Sequence, residues 1–226
     1  MSVFGLRRYA IIVAGGSGKR MGGDIPKQFL ELGEKPVLFY SIEKFHAFDP
    51  EMTIIVVLPK DKIEYWQKLI EDRSFSIKHE IVAGGDSRFM SVKNGLALVD
   101  EDGIVAVHDG VRPLVSVELI KKTFEMAEKL GNAVPITYPV DSVRMITEKG
   151  IIPVDRQDVM MIQTPQVFKA SYLKEAYDQL YHPKYTDDAT VMNSKGHKIF
   201  FLDGERQNIK LTTQEDLMVA EVFMKS

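Results

Sequence analysis

Glycines and basic side chains occur together near the start of the chain, in the string Ala14-Gly15-Gly16-Ser17-Gly18-Lys19-Arg20. Residues 9–13 form a short apolar run that predicts a buried strand directly before it. Lys27 follows within the string Pro26-Lys27-Gln28. Glycines allow successive backbone N–H groups to converge on an anion, and Arg20 and Lys27 add full positive charges. We therefore predict a polyphosphate site here.

Two better-known glycine motifs do not fit this string. A dinucleotide-binding fingerprint starting at Gly16 needs glycine at position 21, where the chain has Met21. A P-loop ending at Gly18-Lys19 needs glycine at position 13 and serine or threonine at position 20, where Val13 and Arg20 stand. The other alternative is a strand-to-helix turn whose basic residues point to solvent. A strand, several glycines and two cations together favour the polyphosphate site.

A second glycine pair lies in the string Gly84-Gly85-Asp86-Ser87-Arg88, which Ser91-Val92 follows. Close backbone approach through the two glycines, with the hydroxyl of Ser91 nearby, suits hydrogen bonds to the edge of a base. The alternative is a plain turn before a helix that Ser87 caps.

A carboxylate follows another predicted strand in the string His108-Asp109-Gly110-Val111-Arg112-Pro113. Facing a polyphosphate loop, Asp109 could hold Mg²⁺, which takes one or two carboxylates and completes its shell with phosphate oxygens and water. It could instead hold a ribose hydroxyl. The alternative is that Asp109 caps the turn and Arg112 pairs with it; we expect His108 to be structural.

The remaining polar motifs lie in the second half of the chain. Ser142 and Arg156 fall in segment 140–162, which predicts two β segments about Glu148-Lys149-Gly150. A guanidinium binds phosphate with two parallel hydrogen bonds, so Arg156 suits a second substrate's phosphate; it could instead serve only an interface. Asp187 and Asp188 could cap a helix, which we favour, or bind a metal, and we expect Thr186 to contact substrate.

Apolar runs at residues 52–58, 77–83, 104–108 and 133–139 alternate with helical patterns, for two of which we predict Asp61 and Ser116 as N-caps. This alternation predicts an α/β fold of the Rossmann-like type with a mostly parallel sheet. Ligands of such sheets bind at the carboxyl ends of the strands, and three of the motifs directly follow strands. We expect one domain over residues 1–226, with a protruding β-arm at about 140–162. Such a hairpin is marginal alone, so a second copy of the chain is its expected partner.

Composition restricts the classes of function. The 226 residues carry a net charge of −3, which argues against a general nucleic-acid or membrane-surface binder. The absence of cysteine excludes disulfides and thiolate chemistry. The segment 1–8 lacks the apolar core of a signal peptide, and no apolar run reaches membrane-spanning length, so a cytoplasmic protein is expected.

Taken together, the motifs resemble the cytidylyltransferases that act on 2-C-methyl-D-erythritol 4-phosphate or on ribitol 5-phosphate. The resemblance spans residues 14 to 212 and includes the Thr164-Pro165-Gln166-x-Phe168 and Asn208-Ile209-Lys210-x-Thr212 strings. It implies cytidylyl transfer from CTP to a sugar phosphate with Mg²⁺, and a homodimer formed through the arm. The catalytic residues it implies are Arg20, Lys27 and Lys210, with Asp109 at the metal.

The resemblance also assigns the two substrates. The CTP-binding residues it implies are Ala14, Gly15, Gly16, Gly18, Gly84, Gly85, Asp86, Ser91, Asp109 and Gly110. The sugar-phosphate-binding residues it implies are Arg112, Ser142, Arg156, Thr164 and Thr186.

The expected acceptor is 2-C-methyl-D-erythritol 4-phosphate, with ribitol 5-phosphate as the alternative. Val13, Gly15 and the Gly110-Val111 pair depart from the common family pattern and favour ribitol, whereas Asp155-Arg156 and Asp187-Asp188 favour the erythritol compound. Two other classes remain open. A non-catalytic nucleotide-binding module would bind CTP without releasing pyrophosphate, and a glycosyltransferase would carry an Asp-x-Asp motif that His108-Asp109-Gly110 does not supply.

Overall fold

The computed structural model describes residues 6–15 and 26–225, and a mixed sheet runs through this part of the chain. Its strands, with those of two small separate sheets, are β1 (Arg8–Val13), β2 (Glu31–Leu32), β3 (Lys35–Pro36), β4 (Thr53–Leu58), β5 (Glu80–Ala83), β6 (Ile104–Asp109), β7 (Asn132–Thr137), β8 (Val143–Thr147), β9 (Gly150–Val154), β10 (Met161–Ile162), β11 (Gln166–Lys169) and β12 (Phe201–Asp203). The helices are α1 (Val37–Phe48), α2 (Ile63–Asp72), α3 (Arg88–Leu96), α4 (Val117–Leu130), α5 (Ala170–Tyr177), α6 (Asp188–Ser194) and α7 (Gln214–Lys225).

The main sheet is mostly parallel, which confirms the predicted fold class. Its order is β10-β7-β11-β6-β1-β4-β5, and β12 also pairs with β7. The pairs of β1 with β4 and β6, of β4 with β5, and of β7 with β12 are parallel. Strand β11 is antiparallel to both β6 and β7, and β10 is antiparallel to β7. The carboxyl ends of β1, β5, β6 and β12 therefore lie along one edge.

Both faces of the sheet are buried, which explains why its strands read as continuous apolar runs. Side chains alternate along a strand, so Ala10 and Ile12 of β1 belong to one core cluster, whereas Tyr9 and Ile11 belong to the other. Helices α1, α2 and α4 contribute buried residues to the first cluster. Helices α3, α5 and α6 contribute them to the second. Helix packing on both faces fixes where each strand ends.

Polar caps set several helix starts as predicted. The Ser87 hydroxyl accepts a hydrogen bond from the Met90 N–H at the start of α3, and Ser116 does the same for Leu119 in α4. Asp187 caps α6, as favoured from the sequence. The expected Asp61 cap is wrong, because a 3₁₀ turn over Lys60–Lys62 precedes α2, which begins without a side-chain cap.

The predicted β-arm is present as the hairpin of β8 and β9. Its strands pair with each other, with Ile146 opposite Ile151 and Met145 opposite Ile152, and with no further strand among the described residues. The apolar side chains remain exposed, to 84% at Ile146 and 64% at Ile151. The hairpin thus presents apolar surface that residues 6–15 and 26–225 do not cover. Within residues 6–15 and 26–225, none of the helices has the length and apolar character needed to cross a membrane.

The packing of α4 yields a stability prediction. Phe124 is fully buried, and its ring lies 5.2 Å from that of Phe48, between centroids. Phe124→Leu should lower the free energy of unfolding by about 1–3 kcal/mol, because a smaller side chain leaves part of the site empty. Urea denaturation measures the change. The exposed neighbour Glu125→Ala should shift it by less than about 0.5 kcal/mol; equal effects of the two substitutions would contradict this packing.

Candidate active site

A cleft of about 450 Å³ lies at the carboxyl edge of the sheet. The loops after β1, β5, β6 and β12 all contribute to its wall, as expected for an open α/β sheet. The residues that line it are Val13, Ala14, Gly15, Lys27, Gln28, Asp86, Ser87, Arg88, Ser91, Asp109, Val111 and Lys210. The motifs that follow β1, β5, β6 and β12 therefore meet at one site.

Asp109, the last residue of β6, is the electrostatic centre of this cleft. Its carboxylate is nearly buried and is surrounded by three cations. The Lys210 Nζ atom lies 2.9 Å from Oδ2, the Arg88 Nε atom 3.4 Å from Oδ1, and the Arg112 Nε atom 3.6 Å from Oδ2. Burial on its own would raise the pKa of Asp109, but Arg88, Lys210 and Arg112 outweigh it and hold that pKa well below its usual range. Asp109 is therefore ionised at neutral pH.

A chain of hydrogen bonds fixes the turn that carries Asp109. The Asp109 N–H donates to the Thr164 hydroxyl oxygen at 3.1 Å, and that hydroxyl lies 3.1 Å from His108 Nδ1. His108 Nε2 lies 3.2 Å from the Arg112 carbonyl oxygen, which can only accept. Nε2 is therefore the protonated nitrogen, and Nδ1 accepts from Thr164. Burial lowers the pKa of His108 to about 4, so the ring is neutral and structural, as predicted.

Lys27 is positioned at the cleft by the aromatic packing of Phe29, a residue of the same turn. The 3₁₀ turn Lys27–Phe29 places the Phe29 ring 5.8 Å from the Trp66 ring of α2, between centroids. The two rings are stacked, and both are buried in the first core cluster. The Gln28 amide donates to the Ala14 carbonyl oxygen at 2.6 Å. These contacts tie the Pro26-Lys27-Gln28 string to Ala14 directly after β1, and Lys27 lines the cleft together with Gly15.

The glycine pair after β5 packs tightly on the start of α3. The Gly85 N–H donates to the Ser91 hydroxyl at 3.2 Å, and that hydroxyl donates to the Ser87 carbonyl at 2.9 Å. A Cβ atom added at Gly84 would lie 2.9 Å from Ser91 Oγ, and one at Gly85 would lie 2.5 Å from Met90 Cβ. Only glycine allows this approach, which brings the backbone of the loop beside the cleft.

Lys210 lies on a loop that several buried groups fix. The Arg112 Nη1 atom donates to the Asn208 carbonyl at 2.7 Å, and the Asn208 amide donates to the Thr164 carbonyl at 2.8 Å. The Leu211 N–H donates to the Val111 carbonyl at 2.9 Å. The loop of Lys210 is thus joined directly to the turn of Asp109, and this explains the short distance between the two side chains.

The structure places the other predicted residues away from the cleft wall. Thr164 is buried, and its hydroxyl is hydrogen-bonded to the Asp109 N–H and to His108. The Arg112 Nε atom lies 3.6 Å from Asp109 Oδ2. Gly110 is buried, and its N–H donates to the Val13 carbonyl at 2.9 Å. The predicted substrate contacts of these three residues stay predictions. The predicted contacts of Arg20, Gly16 and Gly18 lie outside the described residues.

Residues predicted on the arm and before α6 are exposed and do not line the cleft. Ser142 and Arg156 lie beside the hairpin, and the Arg156 Nη1 atom donates to the Val140 carbonyl at 2.7 Å. Thr186 is also exposed. Their predicted role in binding a sugar phosphate stays a prediction.

Sequence reasoning missed two residues of the site. Arg88 lines the cleft, but it has no predicted role within the Gly84–Arg88 string. The available signal was its position after two glycines. Asp188 binds Arg88 through both carboxylate oxygens, and it is fully buried. No local signal identifies this pair, because its members lie 100 positions apart.

Asp109 also defines what metal this site suits. Among the described residues there is no group of three or more histidine, cysteine, aspartate or glutamate side chains that could hold a metal. Mg²⁺ needs only one or two protein carboxylates when a triphosphate supplies further oxygens. A single ionised aspartate beside a cationic cleft fits that requirement, whereas it does not fit an all-protein metal cage.

Comparison with protein families matches almost the whole chain. The family described as IspD, 2-C-methyl-D-erythritol 4-phosphate cytidylyltransferase, matches residues 9–226. A protein of Phocaeicola vulgatus with that enzyme name is 51% identical over 219 residues, which are 97% of this chain and 100% of that protein. A protein of Porphyromonas gingivalis with the same name is 45% identical over 221 residues, 97% of this chain and 99% of that protein.

Solved structures agree with these sequence relatives. The 4-diphosphocytidyl-2C-methyl-D-erythritol synthase of Anaerococcus prevotii has a TM-score of 0.82 at 29% identity, covering 98% of this chain and 99% of that one. The bifunctional IspDF protein of Campylobacter jejuni has a TM-score of 0.79 at 33% identity, covering 94% of this chain and 53% of that one.

The close packing at Gly85 predicts a binding defect. In Gly85→Ala the loop 84–86 must move away from α3, so affinity for CTP should fall about five- to hundredfold, in line with the ~1–3 kcal/mol cost of overpacking. Titration calorimetry measures it. Gly103→Ala is the matched control, because its added Cβ would lie 2.6 Å from Tyr9 Cε2, an equally close contact at a residue that does not line the cleft. Undiminished CTP affinity in Gly85→Ala would remove this loop from the nucleotide site.

Proposed function

Since the chain belongs to the family of 2-C-methyl-D-erythritol 4-phosphate cytidylyltransferases, we propose how its own residues carry out that reaction. The enzyme transfers a cytidylyl group from CTP to 2-C-methyl-D-erythritol 4-phosphate, giving 4-diphosphocytidyl-2-C-methyl-D-erythritol and pyrophosphate. The observation that carries the assignment of roles is the meeting of Lys27, Asp109 and Lys210 at one cleft. The reaction needs cations around a triphosphate, and these side chains converge where one would bind.

Lys27 and Lys210 approach the cleft from different elements, which suits a substrate with several phosphates. We assign Lys27, with Arg20 and the N–H groups of the glycine-rich loop, to the triphosphate. Lys210 would neutralise the α-phosphate as pyrophosphate leaves. The Gly84–Asp86 loop and Ser91 would bind the cytosine. The position of Asp86 and Ser91 in the cleft wall supports this division.

No general base is needed for the transfer. The nucleophile is the phosphate of the second substrate, which is largely a dianion near neutral pH because its second pKa is about 6. Its oxygen attacks the α-phosphorus, and the bond to the β-phosphate oxygen breaks as pyrophosphate departs. His108, the histidine nearest Asp109, is neutral and has both ring nitrogens occupied. The described cleft is accordingly rich in cations and poor in acid–base pairs.

Mg²⁺ is the proposed cofactor, with Asp109 as its protein ligand. When bound, the ion would neutralise phosphate charge and align the triphosphate. The Lys210 Nζ atom lies 2.9 Å from Asp109 Oδ2, and the contact of Oδ1 with Arg88 is long at 3.4 Å. The carboxylate therefore has an oxygen that is only weakly engaged and is able to accept an additional partner.

We assign the sugar phosphate to Arg112, Thr164, Thr186 and, from a partner subunit, to Ser142 and Arg156. The exposed apolar faces of β8 and β9 support a homodimer through the arm, since burying them would require a second surface. Arg156 lies at the end of this hairpin and does not line its own chain's cleft. An arm that crosses to a neighbour is the arrangement that would bring it to a substrate. Both substrates are charged metabolites, which favours a cytoplasmic enzyme.

Pyrophosphate release distinguishes the acceptors. The family match and the names of the relatives support methylerythritol phosphate over ribitol 5-phosphate. With CTP and Mg²⁺, 2-C-methyl-D-erythritol 4-phosphate should release pyrophosphate at least a hundredfold faster than ribitol 5-phosphate does. Turnover of ribitol 5-phosphate alone would overturn the assignment of the acceptor. CTP binding without pyrophosphate release from either acceptor would instead indicate a non-catalytic module.

Lys210→Ala should lower kcat by about 10²–10³-fold, because it removes one cation from the developing charge at the α-phosphate. The Michaelis constant for CTP should change much less, since Lys27 and the loop still bind the nucleotide. Steady-state kinetics measures both. Lys195→Ala, at an exposed position, is the control. A normal kcat in Lys210→Ala would remove this lysine from the reaction.

Arg156→Ala should raise the Michaelis constant for the sugar phosphate about ten- to hundredfold and leave that for CTP within about twofold. The reason is the loss of a charged donor to the acceptor's phosphate. Arg144→Ala changes another exposed arginine of the same hairpin and should have neither effect. If Arg144→Ala and Arg156→Ala behave alike, the arm serves the interface only.

A further inference from the structure

The guanidinium of Arg88 lies between two carboxylates that belong to different elements. Its Nη1 atom donates to Asp188 Oδ1 at 3.0 Å, and its Nη2 atom donates to Asp188 Oδ2 at 2.7 Å. Its Nε atom faces Asp109 Oδ1 at 3.4 Å. Asp188 is fully buried, and the Tyr177 hydroxyl donates to its Oδ1 at 2.6 Å. Asp188 is therefore fixed on both sides and holds Arg88 in one orientation.

This orientation limits the contact between Arg88 and Asp109. Both terminal nitrogens are occupied by Asp188, so a single long Nε contact remains for Asp109. A guanidinium without such a restraint forms two short, parallel hydrogen bonds to a nearby carboxylate. Arg88 in that geometry would occupy Asp109, and it would displace Lys210 from Oδ2, where Nζ now lies at 2.9 Å.

Among the described residues, the cations around the cleft outnumber the carboxylates, so Arg88 and Lys210 compete for Asp109. Three cations, Arg88, Arg112 and Lys210, share the two carboxylates of Asp109 and Asp188. Within the described chain, the carboxylates in ion-pair contact with Arg88 are these two. If Asp188 lost its charge, Asp109 would be the counter-charge left to Arg88, and electrostatic attraction would draw the guanidinium toward it.

We propose that Asp188 is a positioning residue for cytidylyl transfer, which keeps Arg88 from forming two hydrogen bonds to Asp109 and so leaves Asp109 available to the substrates with Lys210 in place beside it. The proposal rests on the proposed function, because availability is defined by that reaction. In this arrangement Asp188 is required for the transfer because Arg88 is present. Tyr177 supports the same carboxylate from α5, so it belongs to the restraint rather than to the reacting groups.

The test is a comparison of Asp188→Asn with the double variant Arg88→Gln and Asp188→Asn. Asparagine keeps the shape of Asp188 but removes its charge, so Arg88 is released with its own charge intact. We expect kcat per folded molecule to fall at least tenfold, while the Michaelis constant for CTP stays within twofold or decreases. In the double variant no guanidinium remains to occupy Asp109, and kcat should recover to at least one fifth of the wild-type value.

Circular dichroism gives the folded fraction by which each kcat is divided, and Phe124→Leu controls for a general loss of stability remote from the cleft. A merely structural role for Asp188 predicts no recovery of kcat per folded molecule in the double variant, and that result would overturn the proposal. A normal kcat in folded Asp188→Asn would also overturn it. If Asp188→Asn does not fold, the double variant, which contains no unpaired buried charge, decides alone by its kcat. A wild-type enzyme that releases no pyrophosphate would instead refute the proposed function.

Discussion

The ionised carboxylate of Asp109 is the group on which the site depends. It is nearly buried, and three cations, Arg88, Arg112 and Lys210, lie within 3.6 Å of its oxygens. They come from the start of α3 and from the loops after β6 and β12. A buried charge of this kind is tolerated only when it is paired and hydrogen-bonded, so the cations and the Thr164–His108 chain are conditions for its presence. The same pairing draws Lys210 and Arg88 to the carboxyl edge of the sheet. The cationic character of the cleft is thus a consequence of how one carboxylate is stabilised.

The scaffold explains why these groups can meet. Strands β1, β4, β5 and β6 run parallel, and helices bury both of their faces, so their carboxyl ends form one rigid edge. Aromatic packing of Phe29 on Trp66 brings Lys27 to this edge from a separate turn. The hairpin β8–β9 lies apart from this arrangement, with its apolar side chains exposed. The site that we propose therefore combines this edge with an arm for which we propose a second copy of the chain as the partner.

Local signals in the sequence were sufficient for much of the fold. Apolar runs identified the main strands, and the serines at 87 and 116 cap α3 and α4 because a cap involves only neighbouring residues. Asp61 failed as a cap because a 3₁₀ turn intervenes before α2. The glycine strings and the strand ends placed Lys27 and Asp109 at one site, whereas Lys210 was expected there from the family resemblance. The pairing of Arg88 with Asp188 was not predictable, since it depends on the packing of α3 against α5 and α6.

A crystal structure of the protein with CTP and Mg²⁺ would show whether these groups meet around a nucleotide. The triphosphate should occupy the cleft beside Asp109, with phosphate oxygens within hydrogen-bond distance of Lys27 and Lys210. Asp109 should then contact the metal or the ribose, and the bond between Asp109 and Lys210 should be lengthened or lost. A nucleotide bound in a different cavity, with the Asp109–Lys210 pair unchanged, would contradict the account.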